Sequence, residues 1–252
     1  MAVGCYGVIR MANAWNAWDI MVADGATAAA QMAIDEELVR IGRPVFRLFR
    51  WARPALSLGW RQSVPDWIDP VSLSSHGIEL VERPTGGGVA VHGSDLSYSI
   101  ALPHVPGLRL HDLLRRVCES LTHAGRAFGI RVTWCSEIAH PRRLDHCLTD
   151  PSPYAIMVTE QKLGGLAVRR YPAAWLIQGS LLVRQLPTVF ARLMPSTLYQ
   201  AFQARAVALE AAAGRPVADE ELIDAMIEAW RATWRLGSDP QYGNGAHVVS
   251  GV

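Results

Sequence analysis

The sequence predicts an α/β or α+β fold in which a mixed central β-sheet is flanked by helices. Strand-like runs of β-branched and aromatic residues are grouped in the middle of the chain, and segments with the period of amphipathic helices lie before, between and after them. Half of the 252 residues are apolar, and no repeat or Pro/Ser-rich linker divides the chain. A single domain with helices packed on one sheet follows from these observations.

The elements follow in order along the chain. The first is a helix over Thr27–Ile41, where apolar residues recur at helical spacing around the acidic residues 35–37. A second helix is predicted over Leu110–Phe128, and two more, Val189–Ala212 and Asp219–Trp234, close the chain. The predicted strands are Pro44–Trp51, Ala55–Leu58, Gly77–Arg83, Val89–Val91, Leu96–Leu102, Ile130–Trp134, Tyr154–Glu160, Leu163–Val168 and Ala174–Val183.

The two ends of the chain carry no strong pattern. Residues 1–16 contain Met11 and lead to Met21, so we expect a disordered tail or a start assigned too early. One folded domain is predicted over residues 17–238. Residues 239–252 are expected to form a flexible tail.

The charge balance argues against two classes of partner. Lys and Arg together number 24 and Asp and Glu 23, which gives a net charge of +1. Proteins that bind nucleic acid or a membrane surface usually carry a basic face, so we expect neither partner. No apolar run approaches the ~20 residues of a membrane span, and no signal peptide is recognisable. The four cysteines lack zinc-site spacing, so we expect a cytoplasmic protein with free thiols and no metal.

The basic residues are divided very unevenly: 23 are Arg and one, Lys162, is Lys. Abundant Arg, Ala and Gly suggest a GC-rich coding sequence in which Lys is replaced wherever a positive charge suffices. A position that keeps Lys can require the compact ammonium, which a planar, permanently protonated guanidinium does not reproduce. Chance survival of one surface lysine explains the count equally well at this stage.

A glycine-rich segment follows the predicted strand that ends at Arg83. Its consecutive glycines, Gly86, Gly87 and Gly88, allow close approach of a ligand to the backbone and present N–H groups to it. The segment has neither P-loop nor dinucleotide-binding spacing. A hairpin turn between two strands is an equally good interpretation.

Cys147 and Lys162 form a candidate acyl-transfer pair. Cys147 lies in a polar, proline-bounded loop, whereas the other cysteines have apolar or helical neighbours. Lys162 is followed by Gly164 and Gly165, which indicate a close backbone approach or a bulge within a strand. A lysine beside a thiol favours the thiolate, and its ammonium stabilises a developing oxyanion. This pairing requires that the fold bring the two together, and a cysteine without chemistry is the alternative.

In order, these segments resemble the lipoate-protein ligase and octanoyltransferase superfamily. The run from Arg83 through His92 is similar to that family's pattern R-[RP]-[ST]-G-G-[GR]-A-V-x-H. The other similar segments, which extend the resemblance over residues 18–235, are Gln31–Leu38, Trp51–Pro54, Leu56–Gly59 with Gln62, Leu96–Ser99, Lys162–Gly165, Arg170 and Gly179-Ser180.

The resemblance implies the fold of a biotin/lipoate protein ligase catalytic domain and an activity in protein lipoylation. Cys147, followed by Pro151, Ser152 and Tyr154, resembles the nucleophile segment of the cysteine-dependent, ligase-like octanoyltransferases. Lys162 falls on the family's active-site lysine. The implied enzyme moves octanoyl (or lipoyl) from an acyl carrier protein, through a Cys147 thioester, to a lysine of a glycine cleavage H-like or E2-like lipoyl domain.

The resemblance also implies a binding site and the absence of a cofactor or metal in the transferase route. The residues expected to bind substrate are Arg83, Thr85, Gly86, Gly87, Gly88, His92, Gly164 and Gly165. Four positions depart from the family pattern. Gly88 replaces a frequent Arg, Gly93 replaces the Asp that usually follows the histidine, and Leu166 and Val168 replace common Ser and Gln. These changes affect the expected pocket lining and so the acyl-chain or donor specificity.

Three alternatives stay open. An ATP-dependent lipoate-protein ligase, favoured by Gly88, would use ATP and Mg²⁺ to form an acyl-adenylate and would make Cys147 incidental. An amidotransferase that moves octanoyl between carrier domains would use the same kind of cysteine. A non-catalytic binder of a carrier domain or acyl group is the third alternative.

Overall fold

A computed structural model describes residues 7–10, 18–135, 146–150 and 152–234, with only the backbone of residues 7–10. The strands are β1 (Gly7–Arg10), β2 (Asp19–Ala26), β3 (Val45–Trp51), β4 (Ala55–Leu58), β5 (Glu79–Glu82), β6 (Ala90–His92), β7 (Asp95–Pro103), β8 (Val132–Trp134), β9 (Ile156–Val158), β10 (Gln161–Arg170) and β11 (Ala174–Leu182). The helices are α1 (Ala28–Ile41), α2 (Pro70–Ser75), α3 (Leu110–Arg126), α4 (Phe190–Leu193), α5 (Ser196–Arg205), α6 (Leu209–Ala213) and α7 (Asp219–Trp234).

The strands form one large and one small mixed sheet. The large sheet has the order β1-β2-β3-β7-β11-β10-β9-β8, and only β2 and β3 run parallel. The small sheet has the order β5-β4-β6, with β4 parallel to β5 and antiparallel to β6. In the centre of the large sheet β7 pairs with β11, where Ser99 lies opposite Gln178. The predicted mixed sheet flanked by helices is confirmed.

The two faces of the large sheet carry different helices, because alternate residues of a strand point to opposite sides. Phe46 of β3 faces α3 and α7 and stacks on Trp230 with ring centroids 4.1 Å apart. Phe49 of the same strand packs with Met32 of α1 on the other face. A separate apolar cluster joins the small sheet to α2, α4 and α5. The space between the two sheets is where the candidate site lies.

Helix α1 begins and ends as its sequence predicts. The Thr27 hydroxyl accepts a hydrogen bond from the Ala30 N–H at 3.3 Å, which caps the first turn. Gly42 ends the helix in the left-handed conformation, with φ of 72°. The helix predicted over Thr27–Ile41 is therefore confirmed.

The single helix predicted over Val189–Ala212 is wrong. The structure has three short helices there, α4, α5 and α6. Pro195 cannot donate a backbone hydrogen bond to a continuous helix. Beyond α5, Ala206 forms a bridge with Lys162, and the Val207 N–H donates to the Lys162 carbonyl at 3.0 Å. Tertiary pairing with β10 thus interrupts a segment whose period is helical.

Two other regions differ from the prediction. The strand predicted over Tyr154–Glu160 is shortened to β9, because Thr159 has a φ of 53° and turns the chain into β10. Strand β2 and helix α2 were not predicted. Pro70 at the start of α2 and the Asp69 side chain, which caps it, are the local features that favour this helix.

The chain ends are described only in part. Residues 7–10, within the expected tail 1–16, pair with β2, so this part of the segment is a strand. The rest of that expected tail, and residues 235–252 with the end of the predicted domain and the expected C-terminal tail, lie outside the described residues. Within the described part of the chain, no helix combines the length and apolar character that crossing a membrane requires.

Candidate active site

Three segments meet between the two sheets. The first is the glycine loop, residues 83–89, which joins β5 to β6. The second is the thiol loop, residues 146–150 with Ser152, which contains Cys147. The third is the start of β10, which carries Lys162. Val89 and His146 form a parallel bridge, and the Cys147 N–H donates to the Val89 carbonyl at 2.9 Å, so the first two loops are joined by backbone pairing.

The sulfur of Cys147 lies on the glycine loop. Its S–H donates to the Gly88 carbonyl at 3.2 Å, and Nη2 of Arg83 approaches the sulfur at 3.4 Å. Gly87 has a φ of 97°, and a Cβ atom there would lie 2.8 Å from Arg83 Nη2 and 3.4 Å from the sulfur. Only glycine combines this positive φ with the lack of space for a Cβ atom, which explains why the glycine run includes Gly87.

Arg83 shapes the glycine loop from inside. Its side chain is buried, with Nη1 donating to the Ser57 carbonyl at 2.9 Å and Nη2 donating to the carbonyls of Gly86 and Gly88 at 2.8 and 2.7 Å. No carboxylate of the described residues lies within ion-pair distance of its guanidinium. The guanidinium therefore places an uncompensated positive charge beside the Cys147 sulfur.

A chain of hydrogen bonds runs from Arg83 away from the sulfur. Arg83 Nη1 donates to the Ser57 hydroxyl at 3.1 Å, Ser57 Oγ lies 2.8 Å from His92 Nε2, and His92 Nδ1 lies 2.8 Å from Asp95 Oδ2. Ser57 Oγ thus accepts from Arg83 while it pairs with His92 Nε2, and His92 Nδ1–H donates to the Asp95 carboxylate. The ring of Trp51 stacks on His92 at 4.0 Å and fixes its plane.

Asp95 supplies the carboxylate that contacts His92. Burial opposes its ionisation, but His92, the Gly93 N–H and the Ser97 hydroxyl together hold the pKa of Asp95 below its usual value. Gly93 has a φ of 117°, and a Cβ atom there would lie 3.0 Å from Pro54. Any residue with a side chain would therefore be strained at position 93.

Lys162 holds the thiol loop. Its buried ammonium donates to the Cys147 carbonyl, to the Asp150 carbonyl at 3.1 Å and to the Ser152 hydroxyl at 2.7 Å. These three bonds use all three of its donors. Burial lowers the pKa of Lys162, against the opposing effect of Cys147, Asp150 and Cys135. Lys162 contacts the backbone of the cysteine, and Arg83 contacts its sulfur.

The sulfur and the ammonium line one pocket. It encloses about 700 Å³ including its open mouth, within the range of small-molecule sites. Its apolar wall comes from α1, the large sheet and the thiol loop, and includes Met32, Phe49, Trp51, Leu148 and Leu166. Its polar part includes Cys147, Arg83 and Lys162. An apolar chain with a reactive carbonyl at one end matches this division.

The structure brings most of the predicted site residues together. Those that line the pocket are Arg83, Gly87, His92, Cys147, Lys162 and Gly165. Gly86 and Gly88 bind Arg83 through their carbonyls. Thr85 is buried and donates to Gln178 Oε1 at 2.7 Å, and Gly164 lies against Ser180 and Leu181. Thr85 and Gly164 therefore support the site from outside the pocket.

Sequence reasoning missed the polar residues that support the site, Ser57, Asp95 and Gln178. Ser57 lies on β4 between two buried leucines and so has the pattern of an ordinary strand residue. The partners of Ser57 and Gln178 lie on other segments of the chain. Asp95 lies between two predicted strands, and its partners His92 and Ser97 are close to it in sequence.

The other described cysteines differ from Cys147. Cys118 is buried in α3, and burial raises its pKa to about 12. Cys135 is half-buried, and Cys5 lies outside the described residues. Across the described ranges, no three His, Cys, Asp or Glu side chains are grouped to hold a metal ion.

Comparison with known proteins agrees with this geometry. Residues 27–231 match the family model of the lipoyl protein ligase A/B catalytic domain. The chain is 30% identical over 236 residues to octanoyltransferase LipM of Kyrpidia tusciae, covering 84% of this chain and 85% of that protein. It is 29% identical over 244 residues to octanoyltransferase LipM of Symbiobacterium thermophilum, covering 88% of each.

Solved structures share the fold. Lipoate-protein ligase A bound with ATP superposes with a TM-score of 0.69 at 21% identity, over 86% of this chain and 84% of that one. A bi-partite lipoate protein ligase from Thermoplasma acidophilum gives 0.68 at 18% identity, over 85% and 82%. At this identity the likeness concerns the fold. Together with the match over residues 27–231, these comparisons show that the chain belongs to the lipoyl protein ligase A/B catalytic-domain family.

Proposed function

We propose that the protein is an octanoyltransferase of protein lipoylation that carries the acyl group on Cys147. The observation that carries this proposal is the position of the Cys147 sulfur in the pocket, beside the guanidinium of Arg83 and on a loop held by Lys162. The relatives named octanoyltransferase LipM support the assignment. The donor is octanoyl-acyl carrier protein and the acceptor is a lysine of a lipoyl domain.

In the first half-reaction the Cys147 thiolate attacks the carbonyl carbon of the donor thioester. A new C–S bond forms to Cys147, the bond to the phosphopantetheine sulfur breaks, and that sulfur leaves with the proton that Cys147 gave up. The positive charge of Arg83, 3.4 Å from the sulfur, stabilises the attacking thiolate. The octanoyl chain lies along the apolar wall, where each buried CH₂ contributes about 0.8 kcal/mol.

The carbonyl oxygen becomes negative during attack and needs donors. The N–H groups of Gly86, Gly87 and Gly88 make no hydrogen bond to another described residue. They lie in the same loop as the Gly88 carbonyl, which contacts the sulfur. In the proposed route these free N–H groups receive the oxyanion, while Lys162 keeps Cys147 in place and adds positive charge nearby.

In the second half-reaction the amine of the acceptor lysine attacks the Cys147 thioester. The amide C–N bond forms, the C–S bond to Cys147 breaks, and the amine proton passes to the departing sulfur. The thiol is thereby restored. Dividing one transfer into two thioester steps is ordinary covalent catalysis, and neither step consumes ATP.

Intact-mass spectrometry of the purified protein mixed with octanoyl-acyl carrier protein, without ATP, tests the proposal. We expect an octanoyl adduct on the wild type and on Cys135→Ser, a matched half-buried thiol, and none on Cys147→Ser. The adduct should disappear when a lipoyl domain is added and reappear as octanoyl on that domain.

The opposite outcomes are equally definite. An adduct that persists in Cys147→Ser would overturn the thioester route. No adduct without ATP, combined with acylation of a lipoyl domain once ATP, Mg²⁺ and free lipoate are supplied, would assign the protein to the ligases.

A further inference from the structure

We propose that an exposed arginine–tryptophan patch beside the glycine loop binds the phosphodiester of the donor's phosphopantetheine arm. The patch consists of Trp60, Arg61, Arg169 and Tyr171. It lies outside the pocket lining and takes no part in the bond changes described above. The inference rests on the proposed function, since it assigns a binding site to the carrier that delivers the acyl group.

The patch is preorganised around one indole ring. Trp60 is 41% exposed, although large apolar side chains are usually covered. Cζ of Arg61 lies 4.3 Å from the Trp60 ring centroid, and Cζ of Arg169 lies 4.2 Å from it. Arg169 also lies 4.8 Å from the ring of Tyr171. Stacking on aromatic rings holds each guanidinium in place while its N–H groups stay available.

Two hydrogen bonds attach the patch to the glycine loop. The backbone N–H of Trp60 donates to the Thr85 carbonyl at 2.8 Å, and Arg169 Nη1 donates to the Pro84 carbonyl at 3.0 Å. Thr85 is two residues from Gly87, where a Cβ atom would lie 3.4 Å from the Cys147 sulfur. Two residues span at most about 7 Å, so Thr85 lies on the order of 10 Å from the thiol. The patch therefore lies close to the thiol without contacting it.

The charges of the patch have no acidic partner. Within the described ranges, neither Arg61 nor Arg169 has a carboxylate within ion-pair distance. The arginines that do have one include Arg40, Arg43, Arg47, Arg50, Arg109, Arg184, Arg215 and Arg231. Two neighbouring guanidiniums without a counter-charge indicate a site for an external anion.

Arg61 is also held in an unfavourable backbone conformation. Its φ is 56°, in the left-handed region that residues other than glycine rarely adopt. Strain of this kind persists where the surrounding structure imposes it, and it is often found at ligand-binding sites. A glycine would relieve the strain, so what Arg61 offers at this position is its guanidinium and not a favourable backbone conformation.

The chemistry of the patch selects the donor over the acceptor. A guanidinium fork binds a phosphate through paired N–H bonds. A phosphodiester joins the arm to its acyl carrier protein, at the end opposite the thioester, whereas the lysine side chain of a lipoyl domain carries no phosphate. The patch should therefore act in loading of Cys147 and leave unloading unaffected.

The test compares two donors by intact mass. The donors are octanoyl-acyl carrier protein and octanoyl-N-acetylcysteamine, which has the same thioester and no phosphate. The ratio is the loading rate with octanoyl-acyl carrier protein divided by the loading rate with octanoyl-N-acetylcysteamine. We expect Arg61→Gln and Arg169→Gln each to lower this ratio about ten-fold, the effect of losing a charged hydrogen bond. Added salt should lower this ratio in the wild type and change it less in the double variant.

Two further variants make the test specific. Arg170→Gln, an arginine over Trp175 on the opposite face of β10, should leave the ratio unchanged. Arg61→Gly removes the charge and the backbone strain together, so it should lower the ratio without lowering the melting temperature. This variant keeps the test informative if the glutamine variants fold poorly.

An unchanged ratio, an equal loss with both donors, or a loss confined to transfer from preloaded enzyme to the lipoyl domain would overturn the inference. If the wild type forms no adduct with either donor, the proposed function itself fails. The two failures are therefore distinguishable.

Discussion

Two buried positive charges, Arg47 and Lys162, are held in opposite ways. Arg47 is fully buried and lies 2.7 Å from the Asp35 carboxylate, which also accepts from Ser99 at 2.6 Å and from Gln178 at 2.7 Å. Lys162 is 5% exposed, and its ammonium contacts two carbonyls and a hydroxyl. Within the described chain, no carboxylate lies within ion-pair distance of it.

This difference indicates that the charge of Arg47 serves the stability of the fold and that the charge of Lys162 serves the reaction. The charge of Arg47 is cancelled where it lies, so its effect is to fix α1 on β3. The charge of Lys162 is not cancelled, and burial alone makes that charge costly, as the lowered pKa of the lysine indicates. Such a charge is available to any negative charge that develops at Cys147. Losing Arg47 should therefore affect stability, and losing Lys162 should affect the reaction.

The largest expected effect is on stability, in Arg47→Met. This change leaves Asp35 buried and uncompensated, which costs about 3–5 kcal/mol of the free energy of unfolding. Urea unfolding measures this loss of the free energy of unfolding. The rate of Cys147 loading per folded molecule should stay near that of the wild type.

Two controls define this effect. The exposed pair Arg40 and Glu37 provides a matched variant, Arg40→Met, that should leave the unfolding midpoint unchanged. Adding Asp35→Asn to Arg47→Met should restore part of the lost stability, because it removes the unpaired charge. If Arg47→Met were as stable as the wild type, Arg47 would not have the structural role that distinguishes it from Lys162.

The next effect is on the reaction, in Lys162→Arg. A planar guanidinium cannot place three donors on the Cys147 carbonyl, the Asp150 carbonyl and the Ser152 hydroxyl. We expect the rate of thioester formation to fall about 10²- to 10³-fold, as for the loss of one oxyanion-type donor. The rate is followed by intact mass with octanoyl-acyl carrier protein.

The overpacking in this variant costs only about 1–3 kcal/mol of stability, so the protein should stay folded. Arg40→Lys is the reverse exchange on the surface and should change neither the rate nor the stability. A wild-type rate in Lys162→Arg would show that the three hydrogen bonds of the ammonium have no role in the chemistry.

The smallest effect concerns Asp95, a buried negative charge bonded to His92. Asp95→Asn should lower the free energy of unfolding at pH 7 by about 1.5–3 kcal/mol, the contribution of a hydrogen bond to a charged group. The pKa of Asp95 lies below its ordinary value of 3.8 in the folded protein. Its contribution is therefore complete above pH 3.8 and is lost as the pH falls through the lower folded value.

Urea unfolding of the wild type and Asp95→Asn at a series of pH values checks this sign. The stability difference should be constant from neutral pH down to about 4 and should shrink below that. A difference that grows on acidification would show that Asp95 is protonated in the folded protein.

Much of the site could be predicted from the sequence because its main residues are unusual in their settings. Lys162 is the single lysine, Cys147 lies in a loop bounded by prolines, and Gly86, Gly87 and Gly88 form an uncommon run. Residue type and setting made them candidates, and the family resemblance implied their roles. The alternation and period of apolar residues predicted most of the strands and helices for the same reason.

The rest depends on contacts between distant segments. Arg83 reaches a sulfur 64 residues along the chain, and Gln178 donates to the Asp35 carboxylate, 143 residues away. Pro195 marks one break in the helix predicted over 189–212, but the helical period continues through Val207, so the sequence pattern contains no sign of the break where Val207 pairs with Lys162. Such contacts become visible only when the segments are placed in space.

The pairing of β7 with β11 has a consequence for how the chain folds. Residues 95–103 are synthesised well before residues 174–182, which supply one of their two neighbouring strands. Until then β7 has β3 on one side and an unpaired edge on the other, and such edges pair readily with other chains. Because the centre of the sheet depends on contacts of high sequence separation, we expect folding to be slow and newly made chains to need protection from aggregation.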